Sequence, residues 1–114
     1  MQVQLGAKQE GVTRAALAGR LDRSAMQEAD ITKFEAHIAG AKQNAIVDMT
    51  QVEILTSLGI RMLLETAKAL KLASASMVLV GPSAQVLESL QMSGLVDDMP
   101  VAKDDAAAIA LLGG

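Results

Sequence analysis

The side chains most able to do chemistry in this sequence are one histidine, scattered carboxylates and several hydroxyl residues. His37 is the only histidine and there is no cysteine. A metal cluster of histidines or thiolates therefore cannot be assembled, and a Ser-His-Asp triad would depend on this one residue. We expect His37 to be a surface or partly buried helix residue, because it lies in a segment with helical spacing. The sequence predicts no enzyme, no metal and no cofactor.

Asp48 is the carboxylate in the most suggestive position, since it follows Ala45-Ile46-Val47, a short apolar run typical of a buried strand. A phospho-accepting aspartate would need an acidic pair beside it to hold a metal ion, and no such pair precedes the first predicted helix. We expect Asp48 to end the strand and to accept hydrogen bonds from nearby backbone N–H groups. Gly81-Pro82-Ser83 lacks the lysine of a P-loop, which argues against nucleotide hydrolysis.

Composition is that of a small globular protein. The 114 residues fit one domain spanning 1–114, and 51% apolar with 20% charged residues can offset the entropy of folding. A net charge of -3 and a single aromatic residue argue against nucleic acid binding. No segment has the roughly 20 apolar residues of a membrane span, and the start lacks the layout of a signal peptide. We expect a cytoplasmic protein, not inserted in a membrane, whose partner is another protein.

The first third of the chain predicts a β-hairpin and a helix. Apolar residues alternate over 3–7 and resume over 12–17, with a turn at Gln9-Glu10-Gly11 between them. Ser24 with Gln27 resembles a capping box, and the apolar residues that follow recur at helical spacing. We therefore expect a first helix to begin near Ser24 and to restart at Asp30.

The rest of the chain alternates strands and helices. The stretch after residue 57 is the strongest helix, and Gly81-Pro82-Ser83 and Gly94 are typical of the start and stop of the next one. Asp104 or Asp105 would stabilise the start of a last short helix. Residues 77–80 and the region of Val101 predict further strands. The order implies an α/β fold, with one mixed sheet whose later strands are parallel and about four helices.

Three short motifs resemble landmarks of the STAS domain family, which includes the anti-sigma factor antagonists. Residues 48–50 (Asp-Met-Thr) and 56–60 (Thr-Ser-Leu-Gly-Ile) resemble the family's Asp-hydrophobic-Ser/Thr and Asp-Ser-Ser/Thr-Gly-Leu. Residues 17–22, ending in Gly-Arg-Leu-Asp, resemble its Gly-x-Leu-Asp, and residues 92–95 resemble its Ser/Thr-Gly-Leu. The resemblance spans most of the chain and implies a single-domain STAS-like fold.

The resemblance also implies a function. Ser57 takes the place of the serine that is phosphorylated in the family, with Thr56 as the second candidate, and Gly59 takes the place of its glycine. Thr56 stands where the family has Asp, and Leu58 where it has a second Ser or Thr. The implied function is an anti-sigma factor antagonist that binds an anti-sigma factor with serine kinase activity and is switched off by phosphorylation at Ser57.

Two alternatives remain open at this point. In the first, Thr56 and Ser57 serve only to cap the helix through their hydroxyls. A constitutive, non-phosphorylated STAS subunit of a larger assembly, such as a lipid-transport ABC complex, would also explain Thr56 and Leu58, because it needs no kinase.

The helix after Ser57 predicts where a partner docks. A wheel of this helix assigns the stripe Ile60, Leu63, Leu64, Ala67 and Leu70 to the core. Leu58 and Met62 fall opposite this stripe, so we expect them to project outward beside Ser57, with Arg61 and Glu65 as the rim. The predicted partner-binding residues are Asp22, Thr56, Ser57, Leu58, Gly59, Arg61, Met62 and Glu65.

Overall fold

A computed structural model describes residues 1–94 and 99–113. These residues form one five-stranded sheet in the order β1-β2-β3-β4-β5, in which β1 is antiparallel to β2 and all other neighbours are parallel. The strands are β1 (Gln2–Gln9), β2 (Val12–Leu21), β3 (Asn44–Leu55), β4 (Met77–Val80) and β5 (Val101–Ala102). The described helices are α1 (Glu28–Ala39), α2 (Ser57–Leu72), α3 (Ala84–Ser93) and α4 (Asp105–Leu111). The predicted hairpin, mixed sheet and α/β class are confirmed.

The two faces of the sheet carry different cover. Alternate residues of β3 point to opposite faces, so Val47 lies in a large core with α1, α2 and α3, whereas Ile46 lies in a smaller one with α4. Phe34 and Leu63 are fully buried in the large core. Of the helices in the described ranges, three therefore pack on one face and one short helix on the other.

Strand β3 is longer than expected. The strand does not end at Asp48, as the sequence predicted, but continues to Leu55, because β2 pairs with it in parallel as far as Leu21. The Asp48 carboxylate accepts the backbone N–H of Thr50 at 2.8 Å and its hydroxyl at 2.7 Å. The expected acceptor role of Asp48 is confirmed, although the strand end is wrong.

Helix α1 begins later than its sequence signal. It starts at Glu28 with Gln27 at the N-cap position, where no side chain caps it. The capping box at Ser24 is wrong because the Ser24 hydroxyl donates to the Asp22 carboxylate at 2.9 Å. His37 of this helix is half-buried, as expected, and its Nε2 donates to the Arg14 carbonyl at 3.0 Å. This hydrogen bond ties α1 to β2.

The later helices begin and end where the sequence indicated. Ser83 accepts the N–H of Val86 at 3.3 Å, and Gly94 ends α3 in a left-handed conformation with φ of 74°. Of the two candidate aspartates, Asp104 caps α4 by accepting the N–H of Ala107 at 2.8 Å. No described helix is long and apolar enough to cross a membrane.

Candidate functional site

Ser57 lies at the edge of the sheet where the parallel strands end. It is the first residue of α2, and one residue, Thr56, separates it from the end of β3. Its side chain is exposed. The first turn closes through a hydrogen bond of 2.9 Å from the N–H of Ile60 to the carbonyl of Thr56. The hydroxyl of residue 57 is therefore in water at the amino end of a helix, as the sequence predicted.

The amino end of α2 lacks the usual side-chain acceptor. Thr56 occupies the N-cap position, but its hydroxyl donates to the Leu21 carbonyl at 2.8 Å instead of accepting a helix N–H. The expectation that Thr56 caps the helix is therefore wrong. No acidic residue lies in the first turn either. The first N–H groups and the positive end of the helix dipole remain available to an anion at Ser57.

Leu21, the last residue of β2, holds the start of α2 in place. Its carbonyl accepts both the hydroxyl of Thr56 and its N–H, the latter at 3.1 Å. Gly59, in the first turn of α2, is buried. A Cβ at that residue would lie 2.9 Å from the Cβ of Leu21 and 2.8 Å from Cδ1 of Leu55. The helix start is thus in contact with the ends of two strands, which fixes the position of Ser57.

Asp22 is brought to the same edge by the end of β2, and its carboxylate is already occupied. It accepts from Arg20 at 2.8 Å, from the Ser24 hydroxyl at 2.9 Å and from the N–H of Ala25 at 3.0 Å. The Arg20 hydrogen bond, followed by that from Ser24, lowers the pKa of the Asp22 carboxyl. Asp22 therefore organises the turn after β2 as a carboxylate.

Arg61 and Glu65 lie on the outer face of α2. Their side chains are 74% and 54% exposed and form an ion pair of 3.1 Å one turn apart. Such an exposed pair contributes only a few tenths of a kcal/mol to stability. Both side chains can therefore exchange this contact for another partner at little cost.

Met62 does not project outward, and that part of the predicted docking surface is wrong. Its side chain is only 3% exposed and lies in the large core, while Leu58 is half-buried and packs against the same core. A carboxylate introduced at residue 62 would be buried without a partner and would disrupt folding instead of testing binding. Of the two predicted apolar residues, only Leu58 retains accessible surface.

The buried face of α2 is rotated by about 60° from the predicted stripe, at 100° per residue. Its buried residues include Met62 and Thr66, whereas Ile60 and Leu64 lie half-buried at its margin. Thr66 can be buried because its hydroxyl donates to the Met62 carbonyl at 2.8 Å. The sequence analysis chose a stripe made only of apolar residues and therefore assigned the wrong face of α2 to the core. Ile60 and Leu64, which it placed in the core, are half-exposed neighbours of Arg61.

The family model of the STAS domain matches residues 10–108. The chain belongs to the STAS domain family. No curated protein sequence is significantly similar to it.

Solved structures support the same fold for this STAS domain. The anti-sigma factor antagonist SpoIIAA in its unphosphorylated form is 23% identical, with a TM-score of 0.75 over 99% of this chain and 98% of that one. A STAS domain protein from Planctomyces limnophilus is 18% identical, with a TM-score of 0.74 over 96% of each chain. The murine anion transporter Slc26a9 is 17% identical, with a TM-score of 0.67 over 90% of this chain but 18% of the transporter.

The STAS motifs lie in two regions of the structure. Two of them meet, since Asp22 begins the turn after β2 and residues 56–60 begin α2, joined through Leu21. The third, residues 92–94, lies at the carboxyl end of α3, and its last residue, Leu95, lies outside the described residues. In the described ranges no three His, Asp or Glu side chains come together to bind a metal ion.

Glu35 of α1 adds a charge beside α2 that the sequence analysis missed. Burial and then the nearby charge of Glu65 raise the pKa of the Glu35 carboxyl. A raised folded-state pKa means that this group favours folding below its ordinary pKa, and that the benefit is lost as the pH rises through the folded-state value. Ionised Glu35 therefore destabilises the STAS domain at neutral pH.

Glu35→Gln should stabilise the domain at pH 7 by about 0.3–0.5 kcal/mol, a size typical of exposed charge pairs. The gain should vanish at low pH, where the wild-type carboxyl is protonated in both states. Urea denaturation of the two proteins across this pH range measures the difference, with Glu88→Gln on the exposed side of α3 as the control. An equal gain at every pH would contradict an electrostatic origin.

Proposed function

We propose that this STAS domain is an anti-sigma factor antagonist. In this proposal it binds, in the cytoplasm, an anti-sigma factor with serine kinase activity, and phosphorylation of Ser57 ends the complex. The observation that carries the proposal is the exposed Ser57 hydroxyl at an amino end of α2 without a side-chain acceptor. The role of SpoIIAA, which has the same fold, agrees with it.

The binding surface of the unphosphorylated protein would centre on the first two turns of α2. Ser57 and Arg61 are exposed there, and Leu58, Ile60 and Leu64 are half-buried. A partner that covers these residues gains apolar contact without requiring the domain to expose its core. Gly59 and Met62 would support this surface from below, because both are buried.

Phosphate at Ser57 would change the surface and leave the fold intact. The group adds roughly -1.5 to -2 charge and a hydration shell where the partner packs. Free N–H groups of the first turn and the helix dipole favour an anion at this point. Arg61 lies four residues further on and can turn from Glu65 to the phosphate. Binding is lost because the partner would have to desolvate the new charge.

In this proposal the domain is a substrate and a ligand, and not an enzyme. The kinase partner supplies the nucleotide, the metal ion and the base that removes the hydroxyl proton. The domain supplies the Ser57 oxygen that takes the phosphoryl group. The catalytic residues of the phosphorylation reaction therefore belong to the kinase partner.

A second candidate is a constitutive STAS subunit of a larger assembly, such as a lipid-transport ABC complex. Thr56 and Leu58 favour it, since they replace the Asp and the second hydroxyl residue of the motif. The likeness to Slc26a9, where the matched region is 18% of a transporter chain, gives an example of the fold within a larger protein.

Phosphopeptide mass spectrometry separates these two candidates. Incubation with the anti-sigma factor kinase and Mg-ATP should add one phosphate to the peptide that contains Ser57. Ser57→Ala should remain unmodified, whereas Thr56→Val should still be phosphorylated at Ser57. No modification by a kinase that binds the domain would favour the constitutive subunit.

A further inference from the structure

The sheet face opposite α2 is only partly covered. Helix α4 packs on β4 and β5, at one side of this face. A helix with its side chains is about 10 Å across, and strands are about 4.8 Å apart, so one helix covers about two strands. Ala15 and Leu17 of β2 lie in the large core, so Ala16 and Ala18 point to the opposite face, where they are only half-buried. The part of the face beside α4 is therefore open.

A cavity of about 470 Å³ lies in this open part of the face. We call it the open-face cavity. Its floor is apolar, formed by Ile46, Val80 and Ala16, and Leu5 of β1 lines one side. Its volume falls within the roughly 300–1,000 Å³ typical of small-molecule sites. Ile46 and Val80 belong to the smaller core, which places the cavity on the side of the sheet away from α2. The open-face cavity can thus hold a small molecule with an apolar body.

The charged side chains of the open-face cavity do not cancel. Among the described residues of its lining there are three carboxylates and two cations. Arg14 donates to both oxygens of Asp105, at 3.2 and 3.1 Å, so these two side chains neutralise each other. The carboxylates of Asp48 and Asp104 remain, and Lys103 can offset only one of them. The lining therefore carries a net negative charge, which favours a cationic ligand.

Each of the two remaining carboxylates has one oxygen available to a ligand. Oδ1 of Asp48 accepts the N–H and the hydroxyl of Thr50 at 2.8 and 2.7 Å, and Oδ1 of Asp104 accepts a helix N–H at 2.8 Å. These donors are neutral, and within the described part of the chain neither Oδ2 has a hydrogen bond or an ion pair. Residues 95–98 and 114 contain no lysine, arginine or histidine that could neutralise either carboxylate.

The register of the sheet places these two carboxylates on either side of the apolar floor. Asp48 of β3 lies beside Val80 of β4. Val80 in turn lies beside Ala102 of β5, two residues before Asp104. An ammonium group above Val80 would have one carboxylate on each side, and an attached apolar chain could extend over Ile46, the residue of the same face that precedes Asp48 on β3.

We infer that the open-face cavity binds a small aliphatic amine in its protonated form. The ammonium pairs with Asp48 and Asp104, and the aliphatic body lies on Ile46 and Ala16. Burial of the body contributes affinity, while the ion pairs decide which sign of charge the cavity accepts. This inference does not depend on the function proposed for Ser57, because Ser57 begins a helix that packs on the other face. It assigns to the domain a small-molecule site besides its partner surface.

Titration of the ¹⁵N-labelled protein with hexylamine, followed by amide chemical shifts, tests this inference. Hexylamine is protonated at pH 7, as a lysine side chain is, and it should give saturable shifts at the amides around Ala16, Ile46 and Asp48. 1-Hexanol has the same chain without the charge and should bind about tenfold more weakly, since a charge-assisted hydrogen bond contributes that much. Hexanoate should bind more weakly than hexanol, because its charge is repelled.

Two variants that change the charge of the cavity should have effects of opposite sign. Asp48→Asn keeps an oxygen that can accept from Thr50 but loses the charge, so it should weaken hexylamine binding about tenfold and leave hexanol binding unchanged. Lys103→Met removes an exposed like charge and should strengthen hexylamine binding about twofold. Glu88→Gln, on the exposed side of α3, is the control and should have no effect.

The hexanol titration separates loss of charge from damage to the cavity. Unchanged hexanol binding by Asp48→Asn shows an intact apolar floor, so that its weaker hexylamine binding reports the carboxylate alone. Equal affinities for hexylamine and hexanol, insensitivity to Asp48→Asn, weaker hexylamine binding by Lys103→Met, or no saturable shift with hexylamine would each overturn the inference.

Discussion

Ser57→Asp should lower the affinity for the anti-sigma factor about 100-fold, equivalent to about 2.7 kcal/mol, whereas Ser57→Ala should bind like the wild type. The exposed hydroxyl lies at the centre of the proposed surface, and a carboxylate there must be desolvated when the partner covers it. Removing the hydroxyl leaves no charge and no cavity. Isothermal titration calorimetry with the three proteins measures the difference.

Thermal stability distinguishes loss of binding from loss of folding. An acidic residue in the first turn of α2 interacts favourably with the helix dipole, so Ser57→Asp should be more stable than wild type by about 0.3–1 kcal/mol. Ser76→Asp is a matched control, because Ser76 is an exposed serine before β4, at the opposite edge of the sheet. It should bind normally. Equal affinities for Ser57→Asp and Ser57→Ala would exclude the switch.

The proposed surface differs from the one that the helix wheel indicated. Leu58 keeps part of its exposure, but the apolar contribution next to Arg61 comes from Ile60 and Leu64, and not from Met62. A surface of half-buried side chains is less exposed to water than two projecting apolar residues would be. This arrangement reduces nonspecific association of the free protein while still offering apolar contact to a partner.

The elements with strong local signals could be predicted from the sequence. The β1–β2 hairpin has alternation on both sides of a turn, and Gly94 ends α3 because only glycine readily takes its left-handed conformation. The position of Ser57 at a helix start also followed from the motif. These features depend on neighbours in sequence, which a single chain displays directly.

Two of the features that failed depend on contacts distant in sequence, and a third depends on a local hydrogen bond. Thr56 does not cap α2 because the Leu21 carbonyl, 35 residues earlier, takes its hydroxyl. Strand β3 continues past Asp48 because the long β2 pairs with it. Thr66 is buried only because its own helix accepts its hydroxyl, a choice that composition does not reveal. Each failure affects the candidate site, since β2, β3 and α2 meet there.

Gly59→Ala should destabilise the domain by about 1–3 kcal/mol, the usual cost of overpacking. The added Cβ would lie 2.9 Å from the Cβ of Leu21, which cannot move without moving β2. Intrinsic propensity predicts the opposite sign, because alanine is favoured over glycine in a helix by about 1 kcal/mol. The sign of the change therefore reports whether this contact exists.

Urea denaturation of Gly59→Ala and wild type decides between these signs, with Ala69→Gly as the matched control. Ala69 is exposed on the same helix, so its replacement should cost only the propensity difference of about 1 kcal/mol. Since Leu21 contacts Gly59 and also accepts from Thr56, a shift of β2 at this point would displace the first turn of α2. Gly59→Ala should therefore also weaken partner binding under conditions in which it is fully folded, and a variant more stable than wild type would show that α2 does not pack on Leu21.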